Sequence, residues 1–254
     1  MRFIGGCVIR SYVAGAFAAA VSCAGPAHAF TFTDNFTPAA SSDWSNSTGD
    51  WTASGGDYFA QEPNNNPLAN TFLPFALSNN SLVVTTTVNA LGDGGIWLDS
   101  DGTGQNGILF IFGGGGYGNG TRGGPAGTEA YWHIVTAGSF SSPQDEVNGV
   151  FTPGDTYTIS VVVSGDTYSA YNDPDGSYDG SSVLLTSLTD ATFASGEVGL
   201  YDNQPNTTTG SGSGPATSFS DFSLQGQVVP EPSSMLLIGA GLAGLAAARR
   251  RRRG

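Results

Sequence analysis

Tyr157-Thr158-Ile159-Ser160-Val161-Val162-Val163-Ser164-Gly165-Asp166-Thr167-Tyr168-Ser169-Ala170-Tyr171-Asn172 is the stretch that decides the fold. Tyr157, Ile159, Val161 and Val163 fall on one face of an extended chain, and Thr158, Ser160 and Ser164 fall on the other. A period of two belongs to a half-buried strand. Gly165-Asp166 supplies a two-residue turn with glycine where φ must be positive, and residues 167–172 return as the partner strand. Carried outward, the same reading predicts strands over 81–90, 95–99, 107–112, 130–136, 182–188, 197–201 and 218–225, with an N-terminal strand near 30–36. No stretch before the tail repeats apolar residues at helical spacing between caps. About ten strands in residues 30–226, parted by Gly, Asn, Asp and Ser turns, predict one all-β sandwich. That length buries a sizeable core without cross-links.

Composition narrows the chemistry. Of 254 residues, the only cysteines are Cys7 and Cys23, and the only histidines are His28 and His133. A cut after Ala29 leaves no thiol and one imidazole, which excludes disulfides, zinc-thiolate sites and multi-histidine metal sites from the mature chain. There is no lysine, and residues 30–226 hold twenty of the 21 acids against the single base Arg122, a net charge of −19. Such a surface repels phosphate backbones, so no nucleic-acid partner is expected.

Both ends read as addresses. Arg2 and Arg10 form a positive n-region, residues 12–21 are apolar, and Ala27-His28-Ala29 supplies small residues at the minus-three and minus-one positions of signal peptidase. Residues 1–29 are therefore expected to be a secretory signal peptide. A lipoprotein cut before Cys23 is the rival, but Ala20 stands where such signals usually carry leucine. At the other end, Val229-Pro230-Glu231-Pro232-Ser233 is rigid and extended, because each proline fixes φ and disfavours helix in its predecessor. Residues 234–248 are uncharged and rich in Gly, Ala and Leu, and Arg249, Arg250, Arg251, Arg252 and Arg253 close the chain. Fifteen helical residues span about 22 Å, short of a hydrocarbon core of about 30 Å, and snorkelling arginines make up part of the deficit. The arginines stay on the cytoplasmic side, so the sandwich faces outward.

This order of a Pro-Glu-Pro tripeptide, a short apolar helix and an arginine cluster resembles the PEP-CTERM sorting signal of Gram-negative bacteria. The resemblance covers Val229 to Gly254, within an expected sorting segment 227–254, and rests on Pro230, Glu231 and Pro232 together with the five arginines. It implies recognition by an exosortase, transient residence in the inner membrane, delivery to the cell surface or extracellular matrix, and association with exopolysaccharide. A plain C-terminal membrane anchor is the alternative.

In the domain, Asp34-Asn35-Phe36, Trp44, Gly49-Asp50-Trp51, Gly154-Asp155-Thr156-Tyr157, Gly196-Glu197-Val198-Gly199-Leu200 and Phe219-Ser220-Asp221-Phe222 follow one another. Their order resembles the concanavalin A-like lectin/glucanase jelly roll, in which the first and last strands are neighbours. An immunoglobulin-like sandwich is the alternative.

Hydrolysis finds little support. Glucanases of this type carry closely spaced acids on one strand, and retaining chemistry wants carboxyls about 5 Å apart. Glu62, Glu129, Glu146 and Glu197 have no second acid two or four residues away. No Gly-x-Ser-x-Gly elbow occurs, and His133 between Trp132 and Ile134 reads as a hydrogen-bonded structural residue. The glycines of 113–124 lack the lysine of a phosphate-binding loop and read as a long loop. Calcium has two candidate sites, Asp99 with Asp101 and Asp173 with Asp175, because each pair sets carboxylates two apart in a Gly-bearing turn. The same residues are ordinary turn formers. Trp97, Tyr117, Tyr171 and Tyr178 are the candidate faces for stacking on sugar rings. The expectation is an exported, non-catalytic structural or exopolysaccharide-associated component, with a calcium-dependent lectin-like module as alternative and a glycoside hydrolase last.

Overall fold

Residues 157–164 and 167–172 form the antiparallel hairpin that the alternation predicts, Ser164 opposite Thr167 across a Gly165 with φ of 61°. Ile159, Val161 and Val163 are fully buried. Ser160 on the opposite face is buried too, because Asp173 folds over it. The structure, a computed structural model, describes residues 28–64, 68–114, 127–203 and 217–228. The expected signal peptide, the Pro-Glu-Pro tripeptide, the apolar helix and the arginine cluster lie outside those residues. No helix among the described residues is long and apolar enough to cross a membrane.

The described chain is all β. In order the strands are β1 (His28–Asp34), β2 (Trp51–Ser54), β3 (Asp57–Ala60), β4 (Ala69–Ser78), β5 (Leu82–Asn89), β6 (Gly94–Ser100), β7 (Gly107–Phe112) and β8 (Ala130–Thr136). There follow β9 (Ser139–Phe140), β10 (Gln144–Val147), β11 (Tyr157–Ser164), β12 (Thr167–Asn172), β13 (Val183–Thr189), β14 (Ser195–Asp202) and β15 (Ser218–Val228). They pair along one curled path, β10-β8-β7-β6-β14-β4-β15-β5-β11-β12-β13, with β1 and β3 added to β15. The two ends of the path meet where Thr186 of β13 donates to the Asp145 carbonyl of β10.

Two apolar layers follow from the strand period. Leu82, Val84 and Val88 of β5, Ile108, Phe110 and Phe112 of β7, and Trp132 of β8 face the main core. The alternate residues Leu109 and Ile111, with Phe72, Trp97, Tyr131, Val135 and Tyr201, form a second buried cluster. Burial on both faces is why β6 and β7 read as continuous apolar runs.

Strand β4 has no counterpart among the expected strands. Pro74 interrupts it, and the proline is accommodated by a bulge: Leu73 lies opposite Val198 and Leu77 opposite Gly196, leaving residues 74–76 against Glu197 alone. The N-terminal strand closes against the last one, as the resemblance implied. Asp34 then fastens the entry, its carboxylate accepting from Phe36 N–H at 2.8 Å, Ser41 N–H at 2.7 Å and Trp44 Nε1–H at 3.0 Å. Trp44 so held packs on Phe36, Tyr58 and Phe222.

The registers sort the connections into two ends. Ser218 pairs with Asn89, Val88 with Tyr157, Ile159 with Asn172, and Gly94 with both Asp202 and Phe112. The long connections 61–68, 113–129, 148–156, 173–182 and 203–217 therefore leave from one end. The opposite end carries the shorter turns at 79–81, 101–106, 137–138, 165–166 and 190–194, together with His28 and Val228.

Candidate functional site

The loop end brings together four of the aromatic and acidic candidates, Tyr171, Tyr178, Asp173 and Asp175, and leaves others apart. The Asp173 N–H donates to the Thr158 carbonyl at 2.8 Å, extending the β11–β12 ladder by one residue. By the strand period the Asp173 side chain shares a face with Tyr171 and Ser169. Ser160, opposite Tyr171 in register, donates to Asp173 Oδ2 and lies 2.6 Å from the Thr85 hydroxyl. Asp173 is 1% exposed, and its Oδ1 has no hydrogen-bond partner.

Tyr178 reaches back across the β12–β13 loop, its ring 5.0 Å from that of Tyr171 at 58°. Desolvation, the hydrogen bond to Tyr171 and the Asp173 charge push the Tyr178 phenol above its ordinary pKa. Its ring is nonetheless 39% exposed. Beyond it, Asp175 accepts from Ser177 N–H at 3.3 Å and from the Ser181 hydroxyl at 2.9 Å. Asp179 accepts from Ser181 N–H at 2.6 Å, and the Ser181 bonds hold its carboxyl below the usual range. The result is an acidic, hydroxyl-rich loop carrying a pair of phenol rings.

Asp99 and Asp101 do not converge. Asp99 has φ of 50° at a bulge against β14, where residues 98 and 99 lie between the Gly199–Trp97 and Glu197–Ser100 pairs. That left-handed residue sends its side chain inward, where Asp99 is 3% exposed and accepts the Tyr168 hydroxyl. Asn79 Nδ2 donates to the same hydroxyl at 2.9 Å. Burial pushes the Asp99 carboxyl above its ordinary range against the hydrogen bonds from Tyr168 and Asn79. Asp101 stays outside in a turn, accepting from Thr103 N–H at 2.9 Å, Thr103 Oγ1 at 2.7 Å and Asn106 Nδ2 at 2.8 Å. Desolvation acts to raise its pKa and is outweighed by those bonds, which hold it low.

Calcium wants six to eight converging oxygens at about 2.4 Å. No group of three or more His, Cys, Asp or Glu side chains placed to hold a metal occurs among the described residues. Asp173 Oδ1 is buried without a hydrogen-bond partner, while both Asp175 oxygens are engaged by Ser177 and Ser181. Neither Asp99 with Asp101 nor Asp173 with Asp175 is part of such a group.

Trp97 corrects another expectation. It is fully buried in the second apolar layer, and its Nε1–H donates to Asn70 Oδ1 at 2.9 Å, so it offers no face to a sugar. Tyr117 lies outside the described residues. His133 sits with Nδ1 2.8 Å from the Ser141 carbonyl, edge-on between Tyr131 and Phe140. Of the signal-peptidase residues, Ala29 falls within β1, opposite Gln227.

Spacing along the chain gave no sign of a second acidic pair at the loop end. Asp93, between β5 and β6, accepts Asn203 Nδ2 at 2.9 Å on its carboxylate and Asn203 N–H at 2.9 Å on its carbonyl. Desolvation, opposed by the Asn203 bond and reinforced by the charge of Glu129, raises the Asp93 pKa to about 6. Glu129 is fully buried, so as folded it is closed to a glycosidic oxygen. The folded state holds the Asp93 proton more tightly than the unfolded chain. This group therefore contributes stability below about pH 4 that is lost as pH rises through about 6. Asp93→Asn is expected to flatten thermal stability between pH 4 and 7. A rise of that size is worth about 3 kcal/mol, discounted to roughly 1–2 because the residue is partly exposed and solvent screens it. Identical pH slopes in the variant and wild type, measured by thermal denaturation, would contradict the assignment.

Residues 228–253 match the PEP-CTERM protein-sorting motif, so the chain carries that signal at its C-terminus. The motif implies an exported, membrane-anchored precursor processed by an exosortase. No curated protein matches the chain in sequence. In structure the chain is similar to peanut lectin, at 13% identity and a TM-score of 0.52, over 80% of this chain and 100% of the lectin. It is similar to winged bean acidic lectin, complexed with methyl-α-D-galactose, at 10% identity and 0.54, over 79% and 99%. The VIP36 exoplasmic/lumenal domain, in a Ca2+/Man3GlcNAc-bound form, matches at 9% identity and 0.50, over 77% and 90%. These likenesses establish the concanavalin A-like jelly-roll fold.

Proposed function

We propose that this protein is a non-catalytic surface component, exported through its N-terminal signal and delivered by an exosortase to the cell surface or matrix of a Gram-negative bacterium. The observation that carries the reading is the sorting motif, which begins at Val228, the last residue of the last strand. The domain is finished where its address starts. The non-catalytic half rests on the acids: Glu129 is sealed in the interior, and Asp99 is spent on Tyr168. Purified domain incubated with bacterial exopolysaccharides is expected to release no reducing ends. Sustained release would overturn that half.

A second reading, glycan binding at the β12–β13 loop, is favoured by the exposed Tyr178 beside Tyr171 above Asp173. Phenol rings offer a stacking face, and acids and hydroxyls accept and donate to sugar hydroxyls. Two of the proteins that share the fold, winged bean acidic lectin and the VIP36 exoplasmic/lumenal domain, are bound to sugars. Tyr178→Ala is expected to weaken binding of an exopolysaccharide fragment by roughly tenfold, on the order of 1.4 kcal/mol, without lowering the melting temperature. Unchanged affinity would remove the loop as the site. The donors at Asp173 and Asp175 fall short of a calcium shell, so binding is expected to survive a chelator. Loss under chelation would restore calcium to the site.

A further inference from the structure

Strand β1 begins at His28, inside the Ala27-His28-Ala29 motif and not after it. His28 lies opposite Val228, Ala29 opposite Gln227 and Phe30 opposite Gly226. The bond expected to be cut by signal peptidase is thus part of a paired strand. Its partner is the stretch of β15 that directly precedes Pro230-Glu231-Pro232. On the opposite edge of β15, Val228 pairs with Leu77 of β4 and Gln225 with Val83 of β5. Before the N-terminal cut, the last residues of β15 are flanked on both sides.

The cut changes that. Water adds across the Ala29–Phe30 peptide; the new carboxylate leaves on Ala29 with residues 1–29, and the new amine stays on Phe30. β1 then starts at Phe30, and Gln227 and Val228 lose their partners on the β1 side. In an antiparallel ladder alternate residues exchange both backbone bonds, so one of these two gains a free N–H and C=O pair. An unpaired strand edge is a template for strand addition, the way an extended substrate segment lies along a binding cleft.

We propose that removal of the signal peptide frees the β15 edge at Gln227 and Val228, directly before the C-terminal processing segment in the sequence, so that the two cuts are coupled in order through the β1–β15 register. The proposal rests on the sorting reading above. The N-terminal cut comes first, β1 shortens, and the backbone before Pro230 opens to the exosortase.

The test compares full-length chains in cells that contain the exosortase, reading the fraction cut near Pro230 by mass spectrometry. Ala27→Arg places a charge at the minus-three position, which blocks the N-terminal cut and leaves β1 unaltered. Adding His28→Pro and Ala29→Pro to Ala27→Arg keeps the signal attached but removes two successive strand donors, one of which must point at β15. Both variants share the same N-terminal tether, so only the pairing differs. C-terminal cutting is expected to fall roughly tenfold in Ala27→Arg and to return to near wild type in the triple variant. Hydrogen exchange on the purified precursors is expected to show the one amide of 227 and 228 that faces β1 protected in Ala27→Arg and about tenfold faster in the triple variant, with β5 and β11 unchanged. Equal cutting of Ala27→Arg and wild type overturns the coupling alone. A triple variant with 227–228 free but still uncut overturns it as well. Absence of any cut in wild type removes the sorting reading and this proposal together.

Discussion

A chain that ends after Thr217 is expected not to fold, whereas one that ends after Val228 keeps the whole domain. β15 is the last strand in sequence but lies inside the sheet, pairing with β1, β3, β4 and β5. Its Phe219, Phe222 and Leu224 are at most 1% exposed. Burial of each is worth about 1.5–3 kcal/mol, and the lost ladder adds to that sum. The total reaches the 5–15 kcal/mol or so that holds a typical domain together. Far-UV circular dichroism and cooperative denaturation would check the result. A cooperative transition in the shorter chain would show that the sheet closes without β15. The consequence in the cell is an order of events: the sandwich completes only once residue 228 has crossed the membrane, 26 residues before the end of the chain.

Replacing Pro230, Glu231 and Pro232 by alanines is expected to abolish C-terminal processing and leave the full-length chain in the inner membrane. The domain should be unaffected, since the tripeptide follows β15 in the sequence. Three alanines remove the fixed φ of both prolines and the only acid between Asp221 and the C-terminus. Membrane fractionation with immunodetection separates the two outcomes, and the expected change is from mostly processed to essentially none. Normal release of the alanine variant would mean that the address lies elsewhere.

The β11–β12 hairpin was legible because one face is buried and the turn is two residues long. β4 was not. Pro74 and burial on both faces erase its period, since Leu73 faces the main core and Phe72 the second layer. The same hidden layer explains Trp97, whose neighbours along the chain give no sign of the Phe72, Leu109 and Tyr201 that cover it. Asp99 and Asp101 have the spacing of paired ligands, but a single positive φ at Asp99 divides them between core and turn. Spacing fixes which face a residue takes only while the strand stays regular.

At the loop end, Tyr171, Tyr178, Asp173 and Asp175 were legible as separate aromatic and acidic candidates, and folding joins them because they lie at the end of β12 and in the connection that follows it. Asp93 and Glu129 meet from two loops that no local pattern links, so only the closed sheet brings their charges together. The address is legible for the opposite reason. It is read as a linear segment, and its residues act in chain order.

The most direct test of the account is the C-terminus of the mature protein recovered from outside the cells that make it, determined by intact mass. The account predicts an extracellular chain that begins near Phe30 and ends close to Pro230, without the apolar segment and the arginines. A chain still ending at Gly254 and confined to the inner membrane would contradict it.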